Sequence, residues 1–301
     1  TVWDREIASK DEGALERIRK EKKAEIDIYK ALQYLFDRQI RALRSYASSI
    51  GIKLIGDVPI YAAADSADTW ADPTLFRKDK VAGVPPDMFC PTGQLWGNPV
   101  YNWKRHKETG FDWWIRRIRR ALDMADTLRM DHFKGFSEYY EIDAGAATAE
   151  HGRWRKAPGW KLFSALRKTL GPISLIVEDL GWITDSERKL RDSNGFPGMR
   201  LAQGGFSRNE DGTINGYNEF LPHNYPRLCV AYTGTHDNDT VRGWYGSLSD
   251  DDRHMVREYL SSPDEEIVWS MIRSIMLSSA GTVIIPMQDV LELGSEARMN
   301  Y

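Results

Sequence analysis

Short apolar runs alternate with segments of helical periodicity along most of the chain. The runs have the length and composition of buried strands, and the segments between them repeat apolar residues every three or four positions. Strands are predicted within 51–61, 127–133, 173–181, 228–237 and 281–289, with a weaker candidate at 198–206, and helices at 112–125, 159–170, 184–193 and 264–280. This alternation is typical of βαβ units, which build parallel sheets.

A carboxylate stands at the C-terminal end of each of the five clear strand runs. These carboxylates are Asp57, Asp131, Glu178, Asp237 and Asp289. Loops are polar, so an acid after any single strand needs no special explanation. In a (β/α)8 barrel, however, the chemistry lies at the C-terminal strand ends, and a charge there has no packing value. The recurrence in all five runs therefore favours an enzyme.

The spacing of these acids favours a barrel over a doubly wound sheet. The interval from Asp131 to Glu178 fits one βα unit of roughly 30 residues with an insertion, and the interval from Glu178 to Asp237 fits two units. A dinucleotide-binding sheet needs a GxGxxG turn after a strand, and the sequence has none. No repeat or Gly/Ser/Pro linker divides the chain. We therefore predict an α/β fold, a (β/α)8 barrel, as a single domain over 1–301.

Composition narrows the possible partners. The 41 basic and 44 acidic residues give a net charge of -3 without a dominant Lys/Arg block, so we expect neither nucleic acid nor a membrane as a partner. Cys90 and Cys229 lack the paired spacing of a zinc site or a disulfide framework, which favours a reducing, cytoplasmic location. The sequence also lacks a phosphate-binding GxxxxGK[ST] loop and a GxSxG nucleophile turn. No cofactor is expected, and the oligomeric state is not predicted.

The segment from about 61 to 111 has little periodicity and is rich in aromatic residues and proline. Its aromatic residues after Tyr61 and before Phe111 are Trp70, Phe76, Phe89, Trp96, Tyr101 and Trp103. We predict a long inserted loop whose flat rings, flanked by polar side chains, bind sugar rings. The alternative interpretation is that these aromatic residues form a small core beneath the loop, and both interpretations can hold together.

Two of the strand-end acids have surroundings that predict different chemical roles. Arg129 and Asp131 are two apart on a strand and point to the same face, so the guanidinium should lower the pKa of Asp131 and suit it to act as a nucleophile. A structural Arg–Asp pair is the alternative. Glu178 follows an apolar run that should raise its pKa, as a general acid requires, whereas Asp179 points away and is expected to cap the next turn. Such a pair is what a retaining glycosidase uses.

The motif TGTHDNDT at 233–240 adds a histidine and two acids. Asp237 and Asp239 lack the further oxygen ligands and the glycine of a calcium loop, so no metal is expected there. The alternative that we prefer is a third carboxylate, Asp237, that holds sugar hydroxyls together with His236.

Several strings closely resemble the 4-α-glucanotransferase (amylomaltase) family of the α-amylase clan, over roughly residues 25 to 300. They are GIKLIGDVPIY, DSADTWADPTLF, VAGVPPDMF, TGQLWGNPVYNW, RMDHFKGF, IVEDLG, LPHNY, YTGTHDNDT and QDVLELGSEARMN. The resemblance implies a barrel enzyme that cleaves an α-1,4-glucan, forms a covalent glucosyl-enzyme and passes the glucan to the 4-hydroxyl of another sugar. It places the nucleophile at Asp131, the acid/base at Glu178 and the transition-state-stabilising acid at Asp237.

The resemblance also implies α-1,4-glucans and malto-oligosaccharides as partners. Including the positions matched by Arg129 and His236, the predicted substrate-binding residues are Arg129, His236, Asp57, Tyr61, Trp96, Asn98 and Tyr101. Family members are longer, and residues 1–50 do not supply the first barrel strands. We therefore expect a barrel that lacks its first strands, in a fragment of the catalytic domain. Hydrolysis of α-1,4-glucans and glucan binding without catalysis are the alternative functions.

Overall fold

The computed structural model describes residues 3–87 and 90–300, so Phe89 lies outside the described residues. The strands are β1 (Ile55–Val58), β2 (Phe76–Val84), β3 (Gln94–Tyr101), β4 (Thr127–Met130), β5 (Glu138–Asp143), β6 (Arg153–Lys156), β7 (Leu175–Val177), β8 (Gly198–Leu201), β9 (Cys229–Tyr232) and β10 (Thr282–Ile284). The helices are α1 (Arg5–Ala8), α2 (Glu12–Glu21), α3 (Lys23–Ser49), α4 (Ala67–Ala71), α5 (Trp103–Glu108), α6 (Asp112–Met124), α7 (Lys134–Ser137), α8 (Gly159–Leu170), α9 (Asp185–Asn194), α10 (Val241–Ser247), α11 (Asp250–Leu260), α12 (Ile267–Met276) and α13 (Met287–Val290).

These elements form two compact units. The first unit comprises the residues up to Leu175 together with Thr184–Leu190, and the second comprises Ile176–Ile183 and the residues from Arg191 onward. Each of the six segments predicted to contain a strand does contain one, and each of the four segments predicted to be helical contains a helix. The pairs β1–β4, β8–β9 and β9–β10 are parallel, which confirms the predicted strand direction.

The first unit contains a parallel sheet and an antiparallel one. The parallel sheet has the order β1-β4-β7, and the division between the units falls within β7, after Leu175. The register of β1 on β4 sets Asp57 beside Arg129. The antiparallel sheet has the order β3-β2-β5-β6. The second unit contains the parallel sheet β10-β9-β8.

The segment predicted as an inserted loop instead forms regular structure. It contains α4, β2, β3 and α5, and β2 pairs with both β3 and β5. Register shifts interrupt the β2–β3 pairing between Arg77 and Val81 and again between Val81 and Gly83. Each shift breaks the alternation of side chains that reveals a strand in sequence. This is why the pattern looked irregular, and the prediction of an irregular loop was wrong.

Residues 23–49 form the 27-residue helix α3, for which no element was predicted. Arg44 of this helix donates to the carbonyl of Leu122, and Asp37 pairs with Arg120 at 2.7 Å, so α3 is fastened to α6. Large apolar side chains of α3 remain exposed, among them Tyr29 and Leu32. Within the described residues, no helix has the length and hydropathy needed to cross a membrane.

Aromatic side chains dominate the core of the first unit. Tyr101 and Trp114 are almost fully buried, with ring centroids 5.3 Å apart, and Trp113 packs edge-on against Trp114 at 5.1 Å. The second unit has an aliphatic core around α12, with Met271, Ile272 and Ile275 fully buried. The two units therefore have cores of different composition.

His106 lies within the aromatic core of the first unit. Its ring centroid is 5.2 Å from that of Tyr101 and 5.8 Å from that of Trp113. Burial lowers the pKa of the imidazole to about 4, and the Leu75 carbonyl and Asp72 oppose that shift. The folded chain therefore holds this ring uncharged at neutral pH.

We predict that acid destabilises the first unit through His106. The unfolded ring has a pKa of 6.5, so between pH 6.5 and pH 4 the unfolded chain binds a proton that the folded chain does not. The free energy of unfolding should therefore fall as the pH falls, by about 3 kcal/mol over that range. His106→Leu should remove this part of the pH dependence. Urea denaturation at intervals between pH 7 and pH 4, followed by tryptophan fluorescence, measures it.

The matched control is His254→Gln, which changes an exposed histidine and should leave the pH dependence of unfolding as in the wild type. A His106→Leu chain with the same pH dependence as the wild type would contradict the assignment.

Candidate functional site

In the first unit, Arg129 joins two of the predicted site acids. One of its nitrogens, Nη1, donates to Asp57 Oδ1 at 2.9 Å and to Asp131 Oδ1 at 3.1 Å. The guanidinium side chain is only 10% exposed, whereas those of Asp57 and Asp131 are 49% and 35% exposed. The structure thus brings these three predicted residues together, with the cation covered and the carboxylates reachable from solvent.

The backbone after β4 turns sharply at this cluster. The amide of Asp131 donates to the Val58 carbonyl at 3.1 Å, which extends the β1–β4 contact by one residue. His132 follows with a φ of 43°, in the left-handed region that few non-glycine residues adopt. A Cβ at Gly135 would collide with Ile60, so the helical turn that begins at Lys134 packs closely on the residues after β1. The chain therefore leaves the direction of β4 directly after Asp131.

His132 and Trp96 form the aromatic side of this cluster. Their ring centroids are 4.8 Å apart in an edge-to-face arrangement, and Tyr61 lies 6.1 Å from Trp96. Burial lowers the pKa of His132 to about 4; Asp131 opposes the shift and Lys134 adds to it. At neutral pH the imidazole is therefore uncharged, and Arg129 is the cation in contact with Asp131. No role was predicted for His132, because the identity of a residue alone does not show that its ring is covered.

The remaining predicted binding residues of the first unit differ in accessibility. Trp96 is half-buried, and Asn98 donates from Nδ2 to the Ala62 carbonyl at 3.2 Å. Tyr61 is buried, and burial raises the pKa of its phenol. Tyr101 is only 1% exposed, and its hydroxyl donates to the Ile60 carbonyl. The ring of Tyr101 therefore belongs to the core, as the alternative interpretation proposed, and is not available to stack on a sugar.

In the second unit, Glu178 directly follows β7 and is half-buried. Its neighbour Asp179 is 1% exposed and does not cap the next turn as expected from sequence. It instead accepts a hydrogen bond from the Met199 amide at 2.7 Å and pairs with Arg191. Burial raises the pKa of Asp179. The Met199 amide and the guanidiniums of Arg200 and Arg191 act in the opposite direction.

His236 and Asp237 lie on an exposed loop after β9. The distance from His236 Nε2 to Asp237 Oδ2 is 3.4 Å, and Asn300 donates to Asp237 Oδ1 at 3.0 Å. Asp239 accepts from the Ser295 hydroxyl and the Thr240 amide, each at 2.7 Å. Among residues 3–87 and 90–300, no group of three histidine, cysteine or acidic side chains is arranged to hold a metal ion.

The fifth strand-end acid, Asp289, has a different environment. It lies in α13 and is 1% exposed, so it does not face solvent at a strand end. Its carboxylate accepts from the Thr233 hydroxyl and from the Val241 amide at 2.8 Å. Asp289 thus connects the segment after β9 to α10 and α13, which is a structural role. Its position after a predicted strand gave no sign of this, because its partners lie about fifty residues away in the chain.

The comparisons with known proteins agree with one another. The family described as 4-alpha-glucanotransferase matches residues 1–301. The 4-alpha-glucanotransferases of Clostridium butyricum and Thermus thermophilus are 43% and 44% identical over 99% of this chain, which covers 62% and 61% of their lengths. The chloroplastic/amyloplastic enzyme of Solanum tuberosum is 44% identical over 99% of this chain and 52% of its own length. The chain thus spans between about half and six tenths of these relatives.

Solved structures show the same likeness. Amylomaltase from Streptococcus agalactiae in complex with acarbose is 41% identical, with a TM-score of 0.94 over 99% of this chain and 61% of that one. Amylomaltase from Corynebacterium glutamicum, at 19% identity, has a TM-score of 0.72 over 85% of this chain and 42% of that one, a likeness of fold alone. The fold of this chain is therefore an amylase-like α/β fold.

We predict that Asp289 is required for stability. Asp289→Ala leaves the Thr233 hydroxyl and the Val241 amide without their buried acceptor, which should lower the free energy of unfolding by about 2–4 kcal/mol. Asp289→Asn keeps one acceptor oxygen and should lose about half as much. Asp251→Asn, on an exposed helix surface, is the control. Urea denaturation followed by circular dichroism measures all three, and an Asp289→Ala chain as stable as the control would show that this acid is not structural.

Proposed function

Because the chain belongs to the 4-alpha-glucanotransferase family, we propose that it transfers α-1,4-glucan segments between malto-oligosaccharides with retention of configuration. The observation that carries the proposal is the contact of Arg129 with Asp57 and Asp131 at the ends of two adjacent parallel strands. A covered guanidinium in contact with a reachable carboxylate holds that carboxylate in one orientation, as attack by a nucleophile requires.

In the proposed first step, an Asp131 oxygen attacks the anomeric carbon of the donor glucan. The bond from that carbon to the leaving O4 breaks, and Glu178 gives its proton to O4. This produces a glucosyl ester on Asp131 and a shortened glucan. The arrangement requires a separation of about 5 to 5.5 Å between the Asp131 and Glu178 carboxyls. His132 supports the step because its neutral ring leaves Arg129 as the cation in contact with the nucleophile.

In the proposed second step, the 4-hydroxyl of an acceptor sugar attacks the same carbon. Glu178, now a carboxylate, takes the proton of that hydroxyl, and the ester bond to Asp131 breaks. Two inversions at one carbon give net retention. Transfer and hydrolysis share the glucosyl-enzyme and differ in whether a sugar or water captures it.

We assign sugar binding to residues around each carboxylate. Asp237 and His236, both exposed and close enough to act together, would hold hydroxyls of the reacting sugar. The half-buried Trp96 would contact its carbon-bound hydrogens, and the buried ring of Tyr61 would support Trp96. Asn98 would hold the chain that follows Tyr61 through its hydrogen bond to the Ala62 carbonyl. Tyr101 is left out of this proposed set because it is buried. No cofactor enters the proposed reaction.

We further propose that 1–301 forms one catalytic domain and part of a (β/α)8 barrel whose first strands lie outside this chain. Two observations support this. The strand β1 lies at the edge of its sheet, where a further strand can pair, and the related enzymes are longer. A cytoplasmic location is proposed because both cysteines, Cys90 and Cys229, are free thiols.

Incubation with maltotriose tests the proposed function. We expect free glucose together with oligosaccharides longer than maltotriose, because an acceptor sugar captures the glucosyl-enzyme. Chromatography of the products with time measures this. Glucose and maltose alone would identify a hydrolase instead. Calorimetric binding of maltoheptaose without any product would identify a glucan-binding module.

Asp131→Asn tests the nucleophile. The carboxylate of Asp131 forms its bond to the anomeric carbon only during the reaction. Turnover should therefore fall at least about a thousand-fold, while the dissociation constant of maltoheptaose changes little. Asp143→Asn, which changes an exposed acid paired with Lys80, is the matched control and should retain turnover. Product analysis and calorimetry supply the two measurements. Parallel loss of binding would indicate misfolding, and retained turnover would exclude Asp131 as the nucleophile.

A further inference from the structure

Asp179 is a buried carboxylate directly beside the proposed acid/base, and the proposed reaction does not use it. Its exposed fraction is 1%, and its partners come from α9 and β8. We propose that Asp179 is a positioning residue that fixes the backbone and side-chain direction of Glu178. This inference rests on the proposed function, because it concerns the acid/base of that reaction.

The chain is tied to one segment on both sides of Glu178. Before it, the Val177 amide donates to the Pro197 carbonyl at 3.0 Å. After it, Asp179 Oδ1 accepts from the Met199 amide at 2.7 Å. The Asp179 carboxylate therefore provides the next acceptor for the neighbouring segment at the point where β7 has ended. Glu178 is half-buried whereas its neighbour Asp179 is buried, so the two side chains lie in different surroundings, and holding Asp179 limits the directions that Glu178 can take.

Two guanidiniums hold the other oxygen of Asp179. Arg191 Nη1 pairs with Oδ2, and Arg200 Nη1 lies 3.7 Å from the same oxygen. Arg200 is itself fixed, since its Nη2 contacts Glu219 at 2.8 Å and its Nη1 donates to the Met199 carbonyl at 2.6 Å. A buried carboxylate with this many charged and hydrogen-bonded partners has little freedom to move.

Gly198 packs directly against the carboxylate of Asp179. A Cβ at Gly198 would overlap the carboxylate of Asp179, so a larger residue there would displace one or the other. The first residue of β8 is thus compatible with Asp179 only as glycine. The contact joins the position of Asp179 to the start of the adjacent strand.

The position of Glu178 affects the reaction through the transfer of its proton to the leaving oxygen. A general acid must lie within hydrogen-bonding reach of the leaving oxygen, and a displacement of about 1 Å can reduce the rate about a hundred-fold. Asp179 touches neither sugar nor the reacting atoms in this proposal. Its effect should therefore appear in steps that need the Glu178 proton and not in glucan binding.

Asp179→Asn tests the inference. The replacement keeps an oxygen for the Met199 amide but turns an NH2 group toward Arg191, so the anchor loosens without a change in size. With maltotriose, kcat should fall about 10- to 100-fold, while maltoheptaose binding measured by calorimetry stays within about two-fold. With maltosyl fluoride, whose leaving group needs no protonation, the rate of the first fluoride release should fall much less. The limb of the pH profile assigned to Glu178 should also shift.

Asp192→Asn is the matched control, because Asp192 pairs with the same Arg191 but is exposed. It should behave as the wild type with both substrates. If Asp179→Asn fails to fold, Arg191→Lys loosens the same anchor while keeping the charge, and a smaller loss with the same substrate dependence is expected.

Two results would overturn the inference: an equal loss in maltotriose turnover and in the first release of fluoride, or reduced stability with kcat and the pH profile unchanged. A wild-type chain that reacts with neither substrate would overturn the proposed function itself, and the inference would fall with it.

Discussion

The pairing of β1 with β4 and the guanidinium it places between two acids are the interactions on which the candidate site depends. Parallel register sets Asp57 beside Arg129, and the two-residue period of a strand sets Asp131 on the same face. One covered cation then contacts both carboxylates. Without this cation, the carboxylates of Asp57 and Asp131, at the ends of adjacent strands, would repel each other. The site is therefore a direct consequence of strand register.

The strongly patterned parts of the fold were predictable from sequence. Strands such as β4 and β9 are short apolar runs between turn residues, and α6 repeats its apolar positions on one face, so local composition determines each of them. The antiparallel sheet was not predictable, because the shifts between Arg77 and Gly83 disrupt the alternation of side chains. The helix α3 was missed although it repeats apolar residues at helical spacing, as at Ile28, Leu32 and Leu35, so the same pattern could have predicted it.

The site was predictable only in part, since sequence shows where an acid stands but not what surrounds it. Asp131 and Asp289 both follow strand runs, yet one is reachable from solvent and the other is enclosed by Thr233 and Val241. Likewise Trp96 is half-buried, while Tyr101, five residues on, lies in the core. These differences arise from residues far along the chain, and no local pattern carries that information.

The anchoring of the proposed catalytic acids follows one physical rule in both units. In the first unit, Asp131 is held directly, by a guanidinium on its own strand. In the second unit, the guanidiniums of Arg191 and Arg200 contact Asp179, the residue next to Glu178. A nucleophile must stay ionised, whereas an acid must be able to hold its proton, so a cation in direct contact suits the first and would impair the second. Guanidiniums that contact Asp179 can fix the position of Glu178 through the backbone that the two residues share.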